Sequence, residues 1–295
     1  MYAIVVMINV GIFVLLALSL NIITGYAGQP NIGQGAFFGI GAYTGAVLTG
    51  KFGIYFWLAM PFAAIITGFI GFFLGLISIR IKEDFLAIVT IALNFIVAAV
   101  FQNVEFFGAA MGLSVPPPNW FGEPLSYQGY LTIVIILIIL VVIFSKWIEK
   151  SWLGMALGAI RNNEMAADSL GIDTKKFKIM AFVIGTSIAG LTGVVYAHYM
   201  TFIMASDFGF LTSVTILSMV ILGGNNTIRG PIIGAVILGL IPEVFRFISD
   251  YRLLVYAGIL ILMIRFQPSG LLGDDSFVWN KLKMLKASLG RRRGA

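Results

Sequence analysis

The chain has 295 residues, of which 59% are hydrophobic and 11% charged, with a formal net charge of +6 and no cysteine. So little polar surface cannot cover a water-soluble globule, and a mean hydropathy of +0.99 makes the chain an integral membrane protein. The absence of cysteine excludes disulfides and thiolate metal sites.

Apolar runs fall near residues 3–23, 33–50, 54–79, 85–102, 130–145, 179–200, 213–222, 231–245 and 253–264. A helical span needs roughly 20 residues, so these runs predict an all-α polytopic protein of about eight or nine transmembrane helices. The runs at 213–222 and 253–264 are short and call for tilt, a break or help from uncharged flanks. No ten-residue segments alternate polar with apolar positions, which argues against an outer-membrane barrel. The first run is longer than the apolar core of a signal peptide and reads as a retained span. Residues 1–272 form one transmembrane domain, and residues 273–295 form a basic tail whose KLKMLK and RRR runs suit anionic headgroups.

The stretch TGYAGQPNIGQGAFFGIG, residues 24–41, interrupts the early apolar sequence. Pro30 and repeated glycines predict a discontinuous helix there, with Gln29, Asn31 and Gln34 at a depth where unpaired amides are costly. Such a break can line a solute route. Elsewhere, glycines spaced by four, at Gly35 and Gly39, Gly41 and Gly45, Gly71 and Gly75, and Gly230 and Gly234, predict close helix packing. Asn94 and Gln102 on the fourth run either bond between helices or face the same route. His198 reads as a snorkelling or hydrogen-bonded histidine at the membrane interface. Glu243 follows Pro242 inside an apolar run with Arg246 three residues on, so it is either an intramembrane functional carboxylate or half of a structural lock.

Enzymatic readings find no support in these motifs. GAVLTGKF at residues 45–52 imitates a phosphate-binding loop but lacks its Ser or Thr and ends a membrane helix. The single His198 has no metal-ligating companions, and no nucleophile turn is present. No catalytic residue, metal, cofactor or nucleic-acid partner is expected, and membrane lipid is the surrounding medium.

The loop from Lys146 to Lys178 is the one long hydrophilic interruption. Placing it in the cytoplasm puts all of the 19 basic residues except Lys51, Arg246 and Arg252 on that side, as the positive-inside rule requires. The N-terminus then lies outside and the C-terminus inside, with loops 103–129 and 201–212 on the outer face. The rigid Pro116–Pro118 turn in the first of these could help seat an extracytoplasmic partner. From Trp152 to Leu170 the residues predict one surface helix with an apolar stripe of Leu153, Leu157, Ile160 and Ala167. Gly171 suits a left-handed terminus and Asp173 a cap on the next helix.

Within that loop, EMAADSLGID at residues 164–173 resembles the Glu-Ala-Ala coupling loop of ABC importer permeases, with Met165 inserted. LALSLNIITGYAGQPNIGQGAFFGIGAYTGAVL from Leu16, DFLAIVTIAL from Asp84, KIMAFVIGTSIAGLTGVVYAHY from Lys178, VILGGNNTIRGPIIGAV from Val220 and IRFQPSGLLG from Ile264 are similar to the Liv-type permeases of branched-chain amino acid importers. The resemblance covers nearly the whole chain. It implies a bacterial or archaeal cytoplasmic membrane protein that pairs as a heterodimer with a second related permease. Two cytoplasmic ABC ATPase subunits would power it, and an extracytoplasmic solute-binding protein would feed it. It further implies that Arg161, Glu164, Ala166, Ala167, Asp168 and Gly171 form the ATPase-coupling element. Gln29, Asn31, Gln34, Asn94 and Glu243 are the expected translocation-path residues. Urea or short amides remain alternative solutes, and an ion-coupled secondary transporter is the alternative class.

Overall fold

The computed structural model describes residues 1–120 and 123–244, together with residues 258, 261, 265, 270 and 271. Ten α-helices carry the described chain: α1 Tyr2–Asn21, α2 Gln34–Gly50, α3 Phe56–Ser78, α4 Glu83–Asn103, α5 Tyr127–Lys150, α6 Trp152–Asn162, α7 Glu164–Ser169, α8 Thr174–Met200, α9 Phe210–Gly223 and α10 Arg229–Val244. The all-α expectation holds. The span count needs refinement, because six helices among the described residues are long and apolar enough to cross a membrane. The apolar part of α10, Arg229–Ile241, is shorter, and α2 has only 17 residues. The run at 253–264 lies almost wholly outside the described residues, as does the basic tail.

Helix α8 is the packing centre, and glycine makes it so. A Cβ at Gly41 of α2 would sit 2.1 Å from the Gly190 carbonyl oxygen, and one at Gly190 would sit 2.0 Å from Thr67 Oγ1 of α3. Three helices therefore meet at Gly190 with no room for a side chain. Gly71 and Gly75 of α3 press in the same way on Thr186 and Ile179 of α8, and Gly234 of α10 presses on the Met219 carbonyl of α9. Lipid tails give helices little hydrophobic reason to associate, so close van der Waals contact between small residues supplies the attraction. The predicted glycine spacing is borne out as packing. By contrast, Phe85, Ile88, Phe95 and Ile96 of α4, and Ile135, Ile136, Ile139, Leu140 and Ile143 of α5, stay exposed as an apolar outer surface.

One end of the bundle joins the two expected outer loops. Strand β1 (Leu113–Ser114) pairs antiparallel with Phe202–Ile203, and Val115 N donates to Thr201 O at 2.8 Å. Lys51, at the end of α2, donates from Nζ to Phe106 O at 2.6 Å and lies 4.3 Å over the Phe106 ring. His198, near this end, is buried, with Nδ1 against Val194 O and Nε2 against Thr49 Oγ1. It is hydrogen-bonded, one of the two readings of the sequence, and its full burial leaves no room for snorkelling. The opposite end gathers α6, α7 and loop 224–228, and Leu271 N returns there to Leu222 O at 2.9 Å.

Replacing Gly190 by Val should weaken the three-helix crossing by about 1–3 kcal/mol through overpacking. Thermal unfolding of the purified protein in detergent reads this as a lower midpoint. An unchanged midpoint would show that the crossing has slack.

Candidate functional site

The first span does not end cleanly. Its last turn, Ile22–Tyr26, widens into a π-helical turn, with Ala27 N donating to Ile22 O at 3.4 Å and Gln29 N to Ile23 O at 3.0 Å. Gly28 then takes φ +68, a left-handed conformation that glycine adopts without penalty. Pro30 offers no N–H and biases Gln29 away from helix, and the helix restarts only at Gln34. The break predicted between residues 24 and 41 is therefore present, and it occupies residues 27–33.

Breaking a helix inside the bundle frees backbone groups that must find partners. Ile32 N donates to Thr90 Oγ1 of α4 at 3.0 Å, Gly33 N to Asn31 Oδ1 at 2.9 Å, and Gly35 N to Ser213 Oγ of α9 at 2.8 Å. The side chains link in turn. Asn31 Nδ2 donates to Gln34 Oε1 at 2.9 Å, Gln34 Nε2 to Ser19 Oγ at 2.8 Å, and Ser19 Oγ to Leu16 O at 2.7 Å. Asn94 Nδ2 donates to Ser213 Oγ at 2.9 Å. Gln29, Asn31, Gln34 and Asn94 are all buried, and three of the five expected path residues, Asn31, Gln34 and Asn94, share one polar layer across α1, α2, α4 and α9.

The roles of the four differ. Asn31 and Gln34 are committed to each other and to Ser19, so they hold the shape of the break. Both amide atoms of Gln29, and Asn94 Oδ1, have no hydrogen-bond partner among the described residues. Asn94 also lines a groove of about 470 Å³ together with Gln102, Ser206 and Gly209, flanked by Phe95 and Phe210. Glu243 belongs to the α10 backbone, but its side chain lies outside the described residues, as does Arg246. Ser19, Thr90 and Ser213 were not anticipated: single hydroxyls within apolar runs carry no periodic signal, and their partners are distant in sequence.

The hydrophilic loop departs from the single helix expected. It forms α6 and α7, broken at Asn163, whose extended backbone (φ −162, ψ 105) lets Oδ1 accept from Ala166 N at 3.1 Å. Asparagine competes with helix by such local bonds. Gly171 is left-handed at φ +82, and Asp173 Oδ1 accepts from Lys176 N at 3.1 Å to cap α8. The stripe Leu153, Leu157, Ile160 and Ala167 is buried against the chain itself, so Ala167 is an anchor in this structure and not an exposed contact. Arg161 is exposed, yet it donates from Nη1 to Gly25 O at 3.0 Å. Glu164 pairs with Lys178, which is buried in the first turn of α8. In the sequence Lys178 signals only orientation, as one of the basic residues of the loop. Ala166, Asp168 and Gly171 stay exposed, and beside them Met165 and Leu170 are 80% and 81% exposed.

A glycine-packed bundle of membrane-spanning helices, with a broken helix and a buried polar layer at its centre, defines a multi-pass transport permease. A model of the family described as the branched-chain amino acid transport system permease component matches residues 2–264. The high-affinity branched-chain amino acid transport system permease protein LivM of Salmonella typhimurium is 32% identical over 287 residues, covering 88% of this chain and 68% of its own length. LivM of Escherichia coli K12 is 31% identical with the same coverage. The probable LivM of Methanocaldococcus jannaschii is 27% identical, covering 92% of this chain and 94% of its own length. No solved structure matches. The chain belongs to this family and is an ABC importer permease subunit of the inner membrane.

Substituting Glu164 by Ala should leave the Lys178 ammonium buried without its carboxylate. Because Glu164 is itself partly exposed, the loss is about 1–3 kcal/mol. Thermal unfolding should show the double variant Glu164→Ala with Lys178→Met regaining most of it. If the single variant matches the unsubstituted protein, the pair is energetically idle.

Proposed function

We propose that this chain forms one half of the translocation path of a branched-chain amino acid importer. It pairs as a heterodimer with a second related permease, and two separate cytoplasmic ATPase subunits hydrolyse the ATP that drives it. An extracytoplasmic binding protein delivers the solute to the face built from the 103–126 and 201–209 segments. The N-terminus lies outside and α6 and α7 lie in the cytoplasm, as the distribution of basic residues favours.

The observation that carries this reading is the surface of α7. Met165 and Leu170 project from a short helix at the charged end of the molecule, where large apolar side chains facing water mark a partner's contact. Ala166, Asp168 and Gly171 share that surface, and its anchor is the buried stripe of α6 and Ala167. Gly171 sets the sharp exit through its left-handed backbone. The same exposure gives no support to an ion-coupled secondary transporter, which needs no such docking helix.

For the solute, Gln29 and Asn94 are the path groups with polar atoms to offer, and Asn31 and Gln34 fix the break that presents them. Glu243 stands as the carboxylate candidate on α10. A zwitterion with an apolar side chain suits a route of amides, backbone dipoles and aromatic rings with little fixed charge. The relatives, named as branched-chain amino acid permeases, favour that solute over urea or short amides.

In the transporter reconstituted with its partners, Leu170→Asp should lower leucine uptake about tenfold or more, as removal of an interface anchor does, with the permease still in the membrane. Undiminished uptake would refute α7 as the docking surface. In the same vesicles, isoleucine and valine should compete with leucine while urea does not, and competition by urea alone would reassign the solute.

A further inference from the structure

Arg161 stands at the end of α6, two residues before the break at Asn163, yet its guanidinium reaches the first span. Nη1 bonds the carbonyl of Gly25 at 3.0 Å, inside the widened Ile22–Tyr26 turn. Its aliphatic stem packs on the next bend of the same segment, where a Cβ at Gly28 would lie 2.7 Å from Arg161 Cγ. One side chain thus grips the broken helix at two points three residues apart. A π-helical turn is a common mark of function. In this one and the bend after it, Thr24 Oγ1, Tyr26 Oη and both amide atoms of Gln29 have no partner among the described residues. Buried polar groups in that condition raise the energy of the arrangement that holds them. A displacement of the segment can bring such groups to new partners.

We propose that Arg161 is the positioning residue that delivers movement of the docking helices to residues 22–33. This rests on the reading of α7 as the ATPase contact. The widened turn bends where the ladder is already weakest, and the Arg161 grip ties its setting to α6. The downstream residues, from Gln29 to Gln34, carry the change into the polar layer of the path. Arg161 itself touches neither solute nor ATPase in this scheme, which separates it from the exposed residues of α7.

The cysteine-free sequence allows a two-reporter test in the assembled transporter. Met165→Cys reports docking by its protection from a maleimide, and Thr24→Cys reports the state of the break by its labelling rate with and without a non-hydrolysable ATP analogue. In an otherwise unsubstituted permease, ATPase subunits should protect position 165, and nucleotide should change labelling at position 24. With Arg161→Ala, protection at 165 should persist while the nucleotide response at 24 disappears, and leucine uptake should fall about tenfold, within the range of a lost coupling between sites. Arg161→Lys, which keeps a donor, should restore part of the response. Loss of protection at 165 in the alanine variant would make Arg161 a docking residue and overturn the proposal. A nucleotide response at 24 that survives in Arg161→Ala would overturn it as well. Absence of protection at 165 in the unsubstituted permease would instead defeat the docking reading on which the proposal rests. Should Arg161→Ala fail to assemble, Gly28→Ala, which displaces the arginine stem and strains the bend, must abolish the response at 24, and its retention would contradict the grip.

Discussion

A helix broken inside a membrane protein must find hydrogen-bond partners within the protein, since the surrounding lipid offers none. That constraint organises this structure. The backbone N–H groups of Ile32, Gly33 and Gly35 end on Thr90, Asn31 and Ser213, so the break is possible only while α4 and α9 stand against it. The Gln34 to Ser19 bond adds α1 to the same ring of support. Every one of these partners is short or placed on a neighbouring helix, which is why the helices have to approach closely.

Glycine packing provides the approach. The crossing of α2, α3 and α8 at Gly190 leaves no space for rearrangement without separating helices, and it behaves as a fixed frame. Within that frame the segment from Ile22 to Gly33 is irregular. Its helical ladder is widened, one residue is left-handed, and Gln29 keeps both amide atoms without partners among the described residues. A rigid frame around an adjustable segment suits a permease, whose path must open and close without loss of the bundle. Helices α6 and α7 reach that segment directly through Arg161, and they brace themselves on α8 through the Glu164 and Lys178 pair.

Much of this was legible in the residues. Spacing of glycines gave the packing faces, Pro30 and its neighbours gave the break, and Gly171 and Asp173 gave the end of one helix and the start of the next. Three features escaped for physical reasons. The stripe Leu153, Leu157, Ile160 and Ala167 signals an apolar face but not what covers it, and its cover is the chain itself. Charge counting treats Arg161 and Lys178 as topology signals, whereas their bonds to Gly25 and Glu164 depend on folding across long sequence separations. The hydroxyls of Ser19, Thr90 and Ser213 were equally silent, because a small polar residue in an apolar run looks the same whether it is idle or holds a network together.

The central claim is that residues 22–33 are the adjustable part of an otherwise fixed bundle. Backbone hydrogen–deuterium exchange of the assembled transporter, compared between nucleotide-free and ATP-bound states, addresses it directly. The account predicts that exchange in residues 22–33 changes with nucleotide while the α2 and α8 segments around Gly41 and Gly190 stay equally protected in both states. Unchanged exchange across residues 22–33, or a change centred on the Gly41 and Gly190 crossing, would contradict it.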